Sequence, residues 1–141
     1  MVDPALAARS AGVTKNALLR GEGQRVMARP DTNTWLGALF ESLVTQSVRI
    51  YADVCEARVG HLRTRDNTRE IDLIVEASDR RLVAIEVKLS GTIVDKDVRH
   101  LNWLKQQLGD RVVDRVVVHA GQYAYRRPDG VAVVPLALLA P

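Results

Sequence analysis

Three charged residues interrupt two apolar segments in the middle of the chain. Asp72 lies within residues 70–76, and Glu86 and Lys88 lie within residues 82–89. Side chains alternate between the two faces of a strand, so Glu86 and Lys88 share a face. The short separation of the two segments predicts an antiparallel hairpin. Such a hairpin would present Asp72, Glu86 and Lys88 together at one edge of a sheet face.

These residue types suit a metal centre that acts on phosphate. Two carboxylates that lie close together raise each other's pKa unless a cation joins them. Hard oxygen ligands of this kind suit Mg²⁺ or Mn²⁺ better than Zn²⁺. Lys88 would then steady a phosphate or orient a water molecule beside the metal. The alternative is a set of exposed strand charges in cross-strand salt bridges, although the apolar surroundings of both segments favour a buried, functional role.

The elements that must position these residues follow from hydrophobic periodicity. The order after residue 30 is a helix, three strands, a helix and a strand, followed by a closing hairpin. The corresponding sequences are WLGALFESLVTQSVRIY, EARVGHLRT, residues 70–76, residues 82–89, DKDVRHLNWLKQQLG, DRVVVHAG and YAYRRPDGVAVVP. In the first charged strand Ile71, Leu73 and Val75 are expected to form the apolar face, and Glu70 is expected to be a strand-edge charge. The chain is therefore predicted to be an α/β protein.

Residues 1–30 differ from the rest of the chain. They are predicted to form a helical appendage and linker, with Asp3 as a helix N-cap and Gly12 beyond the helix end, and residues 31–141 are predicted to form the main domain. The appendage holds five basic and two acidic residues, which account for the whole net charge of +3. The main domain is neutral, so it favours nucleic acid only if several of its acids are committed to a metal ion.

Composition excludes several classes of protein. The chain has 141 residues, of which 47% are hydrophobic, enough for one globular domain with a core. The single cysteine, Cys55, excludes an internal disulfide framework and a multi-cysteine zinc site. No apolar run approaches the ~18 residues that a membrane span requires, and the first residues lack the layout of a secretory signal. We therefore expect a cytoplasmic protein without membrane association.

The charged residues resemble a known signature. Asp72, followed by IEVK with Glu86 and Lys88, resembles the motif of the PD-(D/E)XK nuclease-like superfamily, and the predicted element order resembles its α-β-β-β-α-β core. The resemblance implies a restriction-endonuclease-like fold with a mixed central sheet flanked by helices, here with a C-terminal β-hairpin. It also implies Asp72, Glu86 and Glu41 as metal ligands and Lys88 as a catalytic residue. Ile71 stands where the founding signature has proline, a change that the superfamily tolerates. For Glu41, a solvated position beside the apolar stripe is an equal alternative.

A second resemblance covers nearly the whole chain. GALFESLV, HLRTRDNTREIDLIVE, VAIEVKLS and YAYRRPDGVAVVPL resemble the uncharacterised domain that follows an AAA-type ATPase module in many bacterial proteins. The opening VDPALA resembles the junction after that module. The chain has no G-x-x-x-x-G-K-[ST] phosphate loop, so the resemblance implies an ATPase partner that is not in this chain.

Basic residues on two elements could contact the phosphates of a nucleic acid. They are Arg58, Arg63, Arg65 and Arg69 around the first strand and its turn, and Lys96, Arg99 and Lys105 on the second helix.

The sequence leaves three functions as alternatives. The first is a metal-dependent nuclease that acts on DNA. The second is a catalytically silent module that binds DNA or docks an AAA-type ATPase. The third is a purely structural domain, for which a homodimer is one form.

Overall fold

The computed structural model describes residues 3–12, 14–16 and 35–140. The chain divides into two compact units, Met1–Val44 and Thr45–Pro141. The predicted boundary between residues 30 and 31 lies outside the described residues, as do residues 17–30 of the predicted appendage and linker.

Helix α1 of the first unit spans Pro4–Ser10. The Asp3 carboxylate accepts hydrogen bonds from the backbone N–H groups of Ala5 at 2.8 Å and Leu6 at 3.1 Å, which satisfies two donors that the first turn leaves open. Gly12, directly beyond the helix, has a φ of +70° that a glycine adopts without strain. The predicted cap and stop are therefore confirmed.

Helix α2 spans Trp35–Val54, so its residues are divided between the two units. It begins where the sequence predicts and extends three residues beyond the predicted Tyr51. In the second unit, the hydroxyl group of Tyr51 donates a hydrogen bond to the backbone carbonyl of Leu139 at 3.1 Å. Neither α2 nor any other helix of the described residues has the length and apolar character needed to cross a membrane.

The second unit contains a mixed sheet of six strands. The strands are β1 (Arg58–Arg63), β2 (Glu70–Glu76), β3 (Leu82–Lys88), β4 (Val112–His119), β5 (Tyr125–Arg126) and β6 (Ala132–Pro135). Their order across the sheet is β1-β2-β3-β4-β6-β5. Strands β1, β2 and β3 pair antiparallel, β3, β4 and β6 pair parallel, and β5 pairs antiparallel with β6. The predicted α/β class and the predicted hairpin of β2 and β3 are confirmed.

Strand directions place several strand ends at one edge of this sheet. Strands β3, β4 and β6 end there, and β2 begins there, because β2 runs opposite to β3. We call this edge the carboxyl edge; it is marked by Lys88, His119 and Glu70. In open α/β sheets the carboxyl ends of parallel strands are the usual place for a functional site.

Strand β1 lies at one border of the sheet within the described residues. Its pairing with β2 is irregular, since the register shifts between Gly60 and Leu62. The strand is mostly exposed, with Arg58 near one end and Arg63 at the other. Among the described residues it pairs on one side only, with β2.

Helix α3 spans Asp95–Leu108 and covers one face of the sheet. Its apolar side chains recur at helical spacing and pack on small and branched strand residues. The buried members of this cluster are Ile71, Leu82, Ala84, Ile93, Val98, Leu101, Leu104, Val112, Val117, Val131 and Val133. Each large aliphatic side chain buried in this way contributes on the order of 2 kcal/mol. Since Leu82 and Ala84 face α3, alternation along β3 places Glu86 and Lys88 on the same side.

The predicted closing hairpin is confirmed, and the structure adds a contact with α3 that the sequence does not predict. Its turn contains Asp129 and Gly130, and Gly130 has a φ of +83°. Asp129 accepts hydrogen bonds from the backbone N–H of Val131 at 3.2 Å and from the side-chain amide of Asn102 on α3 at 3.0 Å. Strand β6 then pairs parallel with β4, so the hairpin extends the main sheet and is fastened to α3.

Candidate metal centre and basic rim

Asp72 lies where the regular pairing of β2 with β3 ends. Paired residues run from Glu76 and Leu82 to Leu73 and Ile85. At the next position, Oδ2 of Asp72 accepts a hydrogen bond from the backbone N–H of Val87 at 2.8 Å. A side-chain oxygen therefore replaces the strand's backbone acceptor, and the Asp72 carboxylate is held against β3.

Glu86 and Lys88 form an ion pair within β3. Oε1 of Glu86 lies 3.1 Å from Nζ of Lys88, and the Glu86 side chain is almost fully buried. Its other oxygen, Oε2, is buried and has no hydrogen-bond partner among the described residues. A buried carboxylate oxygen without a partner is costly, which indicates that a proton or a cation belongs there.

The charges of the three residues are coupled. Burial, the largest cause, and the charge of Asp72 together raise the pKa of Glu86 to about 8, against the opposing effect of Lys88. Burial by itself lowers the pKa of Lys88, but the carboxylates of Glu86 and Asp72 outweigh burial and raise it above its usual value. Lys88 therefore stays an ammonium group, while Glu86 favours a proton or another cation.

Two further acidic residues act on this centre, and sequence reasoning did not assign them to it. The charge of Glu70 also raises the pKa of Glu86, and the charge of Asp97 raises that of Lys88. Glu70 pairs with Arg63 at 2.8 Å, and Asp97 accepts the backbone N–H of Val94 at the start of α3. For Glu70 a signal existed, since residues two apart on a strand share a face. For Asp97 none existed, because its approach depends on the packing of α3.

The donor set of Asp72 and Glu86 fits a hard divalent cation. Mg²⁺ is usually held by one or two carboxylates, with water and substrate phosphate completing its coordination. The unpartnered Oε2 and the raised pKa of Glu86 fit a cation beside it. Across residues 3–12, 14–16 and 35–140, no group of three or more His, Cys, Asp and Glu side chains is arranged to hold a metal ion. Glu41 lies half-buried in α2, within the Met1–Val44 unit, and its role as a ligand stays a prediction.

His119 organises the loop that follows β4 at the carboxyl edge. It is the register partner of Lys88 on the adjacent parallel strand. Its Nδ1 accepts the backbone N–H of Gly121 at 3.2 Å, so the ring proton is on Nε2, which donates to the carbonyl of Tyr123 at 3.2 Å. A Cβ atom at Gly121 would lie 3.1 Å from Cα of Gly91, so the loops after β3 and β4 touch. Both ring nitrogens are engaged with the backbone, which is a structural role.

Some of the predicted basic residues are paired with other groups or lie far from the Asp72–Glu86 centre. Arg63 is paired with Glu70, and the ammonium group of Lys105 donates to the backbone carbonyl of Val112. Arg58 lies at the end of β1 that is far from the carboxyl edge, where its register partner is Glu76. These residues are engaged or remote from the centre.

Arg65, Arg69 and Arg99 lie near the start of β2 at the carboxyl edge. The guanidinium group of Arg69 lies 5.1 Å from the ring centroid of Trp103 on α3, within range of a cation–π interaction. Nε of Arg99 donates to Nε2 of His100 at 2.9 Å. The proton of that ring is therefore on Nδ1, which donates to the Glu70 carbonyl at 2.8 Å. His100 and Trp103 thus bring two separately predicted basic segments together, with Lys96 exposed on the first turn of α3.

A comparison with protein families matches most of the chain. A family model described as a domain of unknown function (DUF4143) matches residues 36–139. The matched range contains Glu41, Asp72, Glu86 and Lys88. No curated protein matches the chain.

Proposed function

This chain belongs to the DUF4143 family, and we propose that it is a Mg²⁺- or Mn²⁺-dependent phosphodiesterase that acts on DNA. The observation that carries the proposal is the buried carboxylate of Glu86. Its Oε2 has no hydrogen-bond partner among the described residues, and its pKa is raised to about 8 by burial and by Asp72. A divalent cation would satisfy the oxygen and relieve the repulsion between the two acids.

The fold proposed for this activity is a restriction-endonuclease-like core of the PD-(D/E)XK type. Support comes from the element order, in which α2 is followed by β1, β2 and β3, then by α3 and β4. Further support comes from the mixed sheet, in which an antiparallel β2–β3 pair carries Asp72, Glu86 and Lys88. The motif and the order of elements agree with each other, although they are independent features of the sequence.

Each residue has a proposed role. Asp72 and Glu86 would hold the ion, and the bound ion would stabilise charge on the phosphoryl oxygens and acidify a water molecule. Lys88 would stabilise the additional negative charge that develops on the phosphate in the transition state. Its ammonium state is secured by Glu86 and Asp72, and about a quarter of its side chain is exposed, so it can reach a substrate.

Nicking of supercoiled DNA in the presence of Mn²⁺ tests this function. The wild-type chain is compared with Glu86→Gln and Lys88→Met, and with Asp110→Asn, which removes an exposed carboxylate elsewhere. We expect nicking by the wild type and by Asp110→Asn, and a loss of roughly 10²-fold or more in the other two variants. Equal nicking by all four would show a contaminating nuclease. No nicking by the wild type, on supercoiled or branched DNA, would overturn the proposal.

The ion pair within β3 favours a second function, nucleic-acid binding without cleavage. At 3.1 Å, Lys88 already offsets the charge of Glu86 without a metal ion. The domain would then hold DNA, or dock the AAA-type ATPase that the resemblance implies, through surface groups alone. In that case Mn²⁺ would not change the melting temperature, and Lys88→Met would weaken DNA binding only slightly, as the loss of one phosphate contact does.

A further inference from the structure

We propose that Arg65, Arg69 and Arg99 form a preformed clamp for the phosphate backbone of DNA, beside the Asp72–Glu86 centre. We call these three residues the basic rim. The inference deepens the proposed function and rests on it for the chemistry, since the clamp would deliver the backbone to that centre. The binding itself needs neither a metal ion nor cleavage.

The turn that carries Arg65 is stiff, and its acidic residue is already occupied. Asp66 accepts hydrogen bonds from the hydroxyl groups of Thr64 at 2.5 Å and Thr68 at 2.9 Å, and from the backbone N–H of Thr68 at 3.2 Å. The hydroxyl oxygen of Thr64 also accepts the backbone N–H of Arg69 at 3.1 Å. Asp66 therefore holds the turn together and does not pair with Arg65, whose side chain has no partner within the described range 35–140.

Arg69 and Arg99 are held by uncharged partners. Arg69 lies over the Trp103 ring, and Arg99 donates to His100, whose ring accepts at Nε2. A carboxylate partner would offset the positive charge, as Glu70 does for Arg63 at 2.8 Å. A held arginine that keeps its charge loses less side-chain entropy when it binds a phosphate. Arg69 and Arg99 therefore combine fixed positions with charges that no carboxylate pairs, and Arg65 adds an exposed charge on a turn closed by hydrogen bonds.

The basic rim lies close enough to the Asp72–Glu86 centre for one DNA strand to contact both. Arg69 precedes Asp72 by three positions along the chain, and a strand advances roughly 3.3 Å per residue, so their Cα atoms are about 10 Å apart. One strand of B-DNA carries a phosphate for every ~3.4 Å of helix axis, so about 10 Å measured along that axis spans about three nucleotides. A backbone gripped at Arg69 would thus present a phosphate a few nucleotides away to Glu86 and Lys88.

The opposite end of the same hairpin provides a matched control. Arg58 lies there beside a cleft of about 340 Å³, which is also lined by Glu56, Glu76 and Arg80. Its acidic neighbours balance the arginines, and Arg80 is paired with Glu76 at 3.0 Å. Arg58→Ala removes the same charge as a rim substitution, from the same two-stranded element, at the end where no clamp is proposed.

The test is fluorescence anisotropy of a labelled DNA duplex with the full chain in EDTA, over a range of salt concentrations. Arg65→Ala, Arg69→Ala and Arg99→Ala should each lower the slope of log K against log salt by about 1, as expected for one lost phosphate contact. Arg58→Ala should leave the slope unchanged, and Arg65→Lys should restore it. Thermal melting confirms that each variant is folded.

Three outcomes would overturn the clamp. They are unchanged binding in the rim variants, an equal loss in Arg58→Ala, and a slope change seen with an RNA duplex but not with DNA. Because the assay contains no metal ion, it is separate from the test of cleavage. Rim-dependent binding without any nicking would support the clamp and reject the phosphodiesterase. Mn²⁺-dependent nicking together with DNA binding that does not depend on the rim would support the phosphodiesterase and reject the clamp.

Discussion

The carboxylate of Asp72 is joined to the backbone N–H of Val87 on the neighbouring strand by a hydrogen bond of 2.8 Å. Val87 lies between Glu86 and Lys88, so the bond ties one acidic residue to the backbone that carries the other two charged groups. A backbone donor on a central strand moves little. The three side chains are therefore held in a fixed arrangement before any ligand arrives.

Millimolar Mn²⁺ should raise the melting temperature of the wild-type chain, because an ion that binds only the folded state stabilises it by mass action. At a concentration of 100 Kd the gain is about 2.7 kcal/mol. Glu86→Gln and Asp72→Asn should lose the rise, since each removes one of two anionic ligands. Lys88→Met should keep it, as should the surface control Asp110→Asn. Melting of the wild type that is indifferent to Mn²⁺ would contradict the metal centre.

Stability without a metal ion should fall as the pH rises from about 5 to about 8. The pKa of Glu86 is about 8 in the folded chain against an ordinary 4.5. In this interval the folded state therefore holds a proton that the unfolded state has released. One such proton gives a slope of up to about 1.4 kcal/mol per pH unit. Chemical denaturation at several pH values measures the slope.

Glu86→Gln should flatten this dependence, and saturating Mn²⁺ should do the same by replacing the proton. The carboxyl groups of Asp114 and Asp129 do not act in this interval. The pKa values of Asp114 and Asp129 are lowered, Asp114 chiefly by Arg126 and Asp129 by Asn102 against the effect of burial. Their stabilisation is therefore lost only as the pH falls below about 4. A wild-type slope equal to that of Glu86→Gln would show that Glu86 is ionised in the folded chain.

Gly121→Ala should destabilise the chain by about 1–3 kcal/mol through overpacking. Its Cβ atom would lie 2.5 Å from Cε1 of the buried His119 and 3.1 Å from Cα of Gly91, and neither neighbour can move away freely. Gly60→Ala is the matched control, since nothing lies within 4 Å of the added atom. Urea unfolding compares the two. Similar losses in both variants would mean that the contact between the loops is not restrictive.

Asp129→Ala should cost about 1–3 kcal/mol, because the buried N–H of Val131 loses its acceptor and Asn102 loses its partner on the hairpin. Asp79→Ala is a close control. Asp79 also accepts the N–H of the residue two positions on, Arg81, but in a solvent-exposed turn where water can replace it. We expect the control to lose well under half as much in urea unfolding. An equal loss of stability in both variants would mean that the stabilisation comes from the hydrogen bond within each turn, and not from burial or from Asn102.

Local periodicity predicted the central elements well, because each has a solvated boundary and a regular pattern. Strand β2 spans Glu70–Glu76 as predicted, and α3 ends before Gly109 as predicted. The parallel pairing of β6 with β4 could not be predicted, since neither segment carries a signal for a partner far along the chain. Such pairings depend on which strand edges remain unpaired after the rest of the sheet has formed.

The charged centre was predictable in part. The alternation along β3 indicated that Glu86 and Lys88 share a face, and the hairpin placed Asp72 near them. The same alternation predicted Ile71 and Leu73 on one face, but only Ile71 belongs to the core cluster beneath α3. The difference coincides with an irregularity in β2, where the three steps from Ile71 to Ile74 lie opposite the two from Leu62 to Gly60, and an extra residue in a strand reverses its alternation.

The irregular register of β1 also affects how copies of this chain meet in concentrated solution. An open, straight strand at the border of a sheet is a template for stacking into aggregates. Here the register shifts between Gly60 and Leu62, so the border does not present a regular row of backbone groups. A second copy that approaches this border therefore meets an irregular backbone. The strand that leads to the basic rim is for this reason a poor template for stacking.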